Sequence, residues 1–241
     1  MTGYADEALK LASQAIAISE EIEHPFSQCQ ALMWATSAAY GTRNFMLARE
    51  RAEALQQICD RHSFPQWRGI GMVVSAACRA LAGETELGLK LIGEGLGVQR
   101  QIGRRVWLGT VLTISATAHM QCGNPGHALE LLAEAIALAE ESGARVLLPE
   151  TERLHAEALL LTKQIDTPQA IARIEAAIAL AKQQGALALE WRAAMSLARL
   201  YTGVGRHDAA SELLRTNYAA FSEGFTSLDL VEGKQLLDDI S

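Results

Sequence analysis

Residues that could do chemistry are few in this chain, and they are scattered. His119 and Cys122, at i and i+3, could share a helix face and offer a soft metal two ligands. No second pair accompanies them, so they read as core and turn residues. Glu150, Glu152 and Glu157 surround His155, a composition that could hold a general base. A charge run on a helix is more simply a solvated face, and His155 more simply a surface or groove side chain. The glycine-rich "IGEGLGVQRQIG" from Ile92 invites a nucleotide, but a phosphate-cradling loop needs Lys and Ser or Thr after its glycines. The Gly-Lys pair present, Gly233-Lys234, continues into Gln235 and lacks the upstream Gly. HExxH and GxSxG are absent. The expectation is therefore no catalytic residue, no cofactor and no metal.

Composition sets what can position such residues. Apolar residues make up 49% of 241 and aromatics only 5%, so small and aliphatic side chains must build the core, which favours helices. A net charge of −7 argues against a nucleic-acid or anionic membrane surface. The longest apolar stretches, Gly69–Cys78 and Trp107–Ala118, fall short of a spanning helix, and the N-terminal residues lack a secretory pattern. Cys29, Cys59, Cys78 and Cys122 have no metal or disulfide spacing and read as buried reduced thiols. A cytoplasmic location is expected.

Small residues then recur at a fixed interval. Ala8, Ala48, Gly88, Ala128, Ala170 and Ala210 are 40, 40, 40, 42 and 40 apart. Five residues upstream stand Gly3, Arg43, Gly83, Gly123, Ile165 and Gly205, and a second small position falls at Thr36, Ala76, Ala116, Ala158 and Ala198. Such a period signals stacked supersecondary units. Apolar residues from Ala128 to Ala139 trace one helix face, and Gly123-Asn124-Pro125 is stop-and-restart chemistry. Each unit is thus a helical hairpin, helix A then helix B. The small residues let their axes approach to the short end of the roughly 8–10 Å range. Helix B is expected at 5–22 without its helix A, followed by hairpins at 26–61, 66–101, 106–141, 147–184 and 187–221. A capping helix at 227–239 closes one domain, 1–241. Gly93, Gly95 and Gly97 should make their helix B the least protected interior segment.

The triplets Thr36/Arg43/Ala48, Ala76/Gly83/Gly88, Ala116/Gly123/Ala128, Ala158/Ile165/Ala170 and Ala198/Gly205/Ala210 resemble the tetratricopeptide-repeat (TPR) pattern. The period near 40 exceeds the family's 34, which fits longer helices. The resemblance implies an all-α, right-handed α-solenoid of about 12 helices. The tail, with Gly205–Ala210, Phe221–Phe225 and Asp229–Leu237, and "HPFSQCQALMWA" from His24, resemble the C-terminal arrays of bacterial class III adenylate/guanylate cyclase-type and predicted-ATPase signalling proteins. That likeness implies a non-catalytic regulatory module, any catalysis lying in a parent chain. Met1-Thr2-Gly3 starts at a turn, so the chain reads as a piece of something longer.

In stacked hairpins the A helices line an inner surface. Counting from the mid-helix small residue, the expected groove comprises Met33, Ser37, Tyr40, Val73, Ala77, Thr113, Thr117 and Met120, then Glu152, His155, Arg192, Met195 and Arg199. A protein or peptide segment, or another domain of the same polypeptide, is the expected occupant; a small ligand is the alternative. Self-association through the open N-terminal face is a further expectation. Trp34, Trp67, Trp107 and Trp191 read as core or link-packing residues.

Overall fold

The structure, a computed structural model, describes residues 2–103 and 105–240, so Met1 at the expected opening turn lies outside them. They form twelve α-helices and, among the described residues, no strand. In order these are α1 Ala5–Glu21, α2 Pro25–Gly41, α3 Phe45–His62, α4 Pro65–Leu81, α5 Thr85–Ile102 and α6 Arg105–Gln121. Then come α7 Pro125–Ser142, α8 Leu148–Leu161, α9 Thr167–Gln183, α10 Leu187–Gly203, α11 His207–Tyr218 and α12 Leu228–Ile240. Even-numbered helices are the A type and odd-numbered the B type; α11 stops at 218 against an expected 221. The residues divide into two compact units, Asp6–Gly143 and Met1–Ala5 with Ala144–Ser241.

A left-handed residue follows each helix from α1 to α10, and its spacing is the metre of the fold. Positive φ occurs at Gly3, Glu23, Arg43, Ser63, Gly83, Gly103, Gly123, Gly143 and Lys163, each twenty residues from the last, then at Gly185, Gly205 and Gly224. One helix plus one turn therefore takes 20 residues. The regularity corrects the register at the fourth hairpin. Its turn residue is Lys163 (φ 57°) rather than Ile165, and Ala156, not Ala158, is the counterpart of Ala116. Two extra residues sit between Lys163 and Ala170, where Asp166 and Gln169 close a reciprocal capping box ahead of α9. An L-residue with a Cβ pays in the left-handed region. Lys163→Gly should raise stability by about 0.5–1 kcal/mol, the relief being partly offset by the unfolded chain's extra freedom. An unchanged or lower urea midpoint would contradict it.

Within the first unit the hairpins pack α2 on α3, α4 on α5 and α6 on α7, and the A helices stack α2 on α4 on α6. Ala48, Ala128, Ala170 and Ala210 are fully buried, as the close-packing argument requires. At Gly88 the helices come closer still. A Cβ there would lie 2.6 Å from the Ala80 nitrogen and 2.8 Å from the Ala76 carbonyl oxygen. Gly95 is also at an interface, where a Cβ would lie 2.9 Å from a Val73 methyl, whereas Cβ atoms at Gly93 and Gly97 would meet nothing within 4 Å.

In the second unit α12 begins 41 residues after α10 begins, in the position of a next helix A. It buries Leu230 and Leu237 against the last hairpin, while Leu228 and Val231 are exposed. Trp191, fully buried, donates its indole N–H to the Asp229 carbonyl at 2.9 Å. Gly233 is where the ring meets α12, since a Cβ there would lie 2.0 Å from Trp191 Cζ2.

Candidate functional site

In the first unit the open side of the A helices follows from where their small residues point. Ala76 and Ala80 press on Gly88, and Val73 on Gly95, so this stripe of α4 faces its own helix B. Residues three before and four after a helical position share its face. Counting in such steps from Thr36, Ala76 and Ala116 therefore followed the inward stripe. Met33, Val73, Ala77 and Thr113 are accordingly buried, and Ser37, Tyr40, Thr117 and Met120 are half-buried. Ser37 and Thr117 donate their hydroxyls to Met33 and Thr113 carbonyls one turn back, at 3.0 and 2.9 Å.

The opposite side begins two residues earlier, at Trp34. Trp34 is 54% exposed although it belongs to helix A, and its ring meets Trp107 of α6 edge-on at 5.2 Å between centroids. Ile70 and Val74, which correspond in α4 to Gln30 and Trp34, are buried. An aromatic pair from α2 and α6 thus marks the open face of the stack. Trp67 and Trp191 are buried as core or link residues should be; Trp34 is not. Its offset of two from Thr36, nearly half a turn in a helix, is the signal in the sequence that could have found it.

In the second unit charge is buried. Glu150, expected on a solvated face, is 7% exposed and takes a bidentate pair of bonds from Arg153, both 2.8 Å. Arg153 also donates to Glu157 at 2.8 Å and to Ser196 Oγ at 3.0 Å, and Ser196 donates to Glu157 at 2.6 Å. Arg192 grips Asp229 of α12 through Nε and Nη2 at 2.8 and 2.7 Å. Burial works against the charge of Arg153, yet Glu150 and then Glu157 outweigh it and raise its pKa. Asp229 and then Glu150 do the same for Arg192. Of the expected groove residues here, Arg192 is committed to this network and Met195 is buried against α12. Glu152 and His155 are half-buried, and Arg199 is exposed. His155 has its Nδ1 buried without a hydrogen-bond partner, and burial lowers its pKa, aided by Arg173.

His119 and Cys122 form no ligand pair. His119 is buried edge-on against His127, with centroids 4.5 Å apart, and Asn124 Nδ2 lies 3.4 Å from its Nδ1. Cys122 Sγ lies 3.9 Å from the Ala80 carbonyl oxygen. Among the described residues no group of three or more His, Cys, Asp or Glu could hold a metal. Cys29 and Cys59 are buried with sulfurs 3.8 Å apart, and burial raises both thiol pKas and pushes Cys78 up to about 12. Burial, then His127, pushes His119 down to about 4 from an ordinary 6.5. The unfolded chain therefore binds the proton first. Stability should be complete above about pH 6.5 and fall as pH drops from there toward 4, and His119→Gln should flatten that slope in urea titrations. A variant with the wild-type slope would remove His119 as its source.

Comparison with known proteins places this geometry. The sequence matches no family model and no curated protein. Its fold matches solved structures well. The putative kinesin light chain of Podosopora anserina, of nearly identical TPR-like repeats, aligns over 81% of this chain and 95% of its own, with TM-score 0.55 and 19% identity. This is a TPR-like fold. A Rap protein complexed with competence and sporulation factor aligns over 96% of this TPR-like chain and 69% of its own, with TM-score 0.66 and 13% identity. A signal transduction ATPase with numerous domains from Pyrococcus horikoshii, which carries a tetratricopeptide repeat sensor, aligns over 95% and 36% with TM-score 0.58 and 16% identity. No helix among the described residues is long and apolar enough to cross a membrane.

Proposed function

We propose that this TPR-like chain is a non-catalytic, cytoplasmic interaction module whose first unit takes up a protein segment on the face where Trp34 of α2 meets Trp107 of α6. One observation carries the reading: Trp34, half exposed, braced on Trp107 where core packing does not require it. Exposed aromatic side chains held rigid by a neighbour are the usual anchors of protein interfaces. The fold neighbours support the class of function, since one was solved with a bound factor and another carries its repeats as a sensor. The multidomain ATPase among them also agrees with the expected setting, a regulatory array of a cyclase- or ATPase-type bacterial signalling protein. A small planar ligand stacked on the same ring pair is the second reading.

Panning a displayed peptide library against wild-type protein and against Trp34→Ala tests the proposal. Peptides enriched by the wild type should lose affinity by at least ~30-fold in the variant, the scale of an interface hot spot. Its melting temperature should stay unchanged. Peptides that bind both proteins equally, or no enriched peptide at all, would refute the assignment. A metabolite that stabilises only the wild type would favour the second reading.

A further inference from the structure

We infer that Cys29 and Cys59 are a reversible disulfide site, closed by a peroxide and reopened by a thiol. Their sulfurs lie 3.8 Å apart between α2 and α3, and both residues are inaccessible. Cys29 stands one turn into α2 and Cys59 one turn from the end of α3, so the pair lies at the end of the hairpin opposite its Thr42–Asn44 turn. There the Ser63 and Phe64 N–H groups cap α3 on the Cys59 carbonyl. Helix ends of this kind open locally while the remainder stays folded, which admits a reagent as small as hydrogen peroxide.

The distance selects the chemistry. A sulfur–sulfur bond of about 2.05 Å draws the two atoms together and needs no new space. A tetrahedral zinc with bonds of about 2.3 Å would also span such a pair, but it requires two further ligands. Among the described residues no group of three or more His, Cys, Asp or Glu could supply them. Burial raises both thiols; Cys59 offsets this at Cys29 by donating its S–H, whereas Cys29 and Asp60 raise Cys59 further. Cys29 is therefore the attacking sulfur. Its thiolate attacks one peroxide oxygen, the O–O bond breaks and hydroxide leaves, which makes a sulfenic acid. The Cys59 sulfur then displaces the remaining hydroxide from Cys29, and the two thiol protons turn both hydroxides into water. The dithiol is oxidised by two electrons and the peroxide reduced by two. A thiol reductant reverses the bond by exchange.

Native protein is treated with hydrogen peroxide, then denatured, alkylated and digested with trypsin. Met46, 84% exposed, and the half-buried Cys122 calibrate the oxidant. A disulfide joining peptides 11–43 and 52–61 is expected, and dithiothreitol should remove it. Closing a loop between residues 30 apart should raise the melting temperature by roughly 5–10 °C. In Cys59→Ala the oxidation should stop at a Cys29 sulfenic acid, which dimedone captures. Met46 sulfoxide formed while Cys29 and Cys59 still alkylate would overturn the inference. So would links made through Cys78 or Cys122, or a 29–59 link that forms only in urea. A melting temperature lowered by oxidation would count the same way, as would dimedone on Cys59 in Cys29→Ala with none on Cys29 in Cys59→Ala.

Discussion

Arg153→Met should destabilise the second unit by about 3–5 kcal/mol, the usual loss when one member of a buried ion pair is removed. Two carboxylates depend on this side chain. Glu150 and Glu157 each accept from it at 2.8 Å, and Ser196 bridges the far side. Methionine fills a comparable length of hydrocarbon and leaves both acids without their main counter-charge. Arg192 cannot replace it, being 3.9 Å from Glu150 and already committed to Asp229. The measurement is the urea midpoint of the variant at neutral pH, where the acids are ionised. A loss below ~1 kcal/mol would mean the pair is solvated like a surface one. Because the network joins α8, α10 and α12, the variant should also loosen the cap helix, visible as faster amide exchange in α12.

Gly88→Leu should be the most damaging change in the first unit. Overpacking a tight core typically costs about 1–3 kcal/mol, and more where nothing can yield. Here the obstruction is the α4 backbone, with the Ala80 nitrogen and Ala76 oxygen inside 3 Å of the new Cβ. A flexible side chain could move aside; a helix backbone can only separate from its neighbour. Gly93→Ala on the same helix is the control. Its Cβ meets nothing within 4 Å, so it should gain up to about 1 kcal/mol of helix propensity. Opposite signs in thermal melts are the expected result, and two losses would place α5 wrongly against α4.

Much of the architecture was legible in the sequence because close helix pairing admits few residue types. Ala48, Gly88 and Ala128 announce the contact by being small, and Gly123-Asn124-Pro125 announces the turn. What escaped notice lacked such constraint. Lys163 adopts the conformation glycine takes at Gly123, so the fourth turn carried no compositional mark and the register slipped by two. The surface was harder still, since inward and outward stripes of helix A are both apolar in an alanine-rich chain. Met33 and Trp34 are neighbours in sequence, and their burial, 3% against 54%, depends on which stripe faces the partner helix. Glu150 and Arg153 looked solvated because a buried pair and a surface pair at i, i+3 have the same spelling.

The left-handed residues at twenty-residue intervals carry a consequence for how such a chain can change. Cutting after Gly83 and rejoining at Asn124 removes 84–123, one helix B and the next helix A, and leaves each junction with its own kind of stop and restart. A loss or duplication of that length shortens or lengthens the molecule in steps without asking any surviving residue for a new backbone shape. Growth by copying is thereby written into the local stereochemistry, and the length of the stack is free to vary while its joints are not.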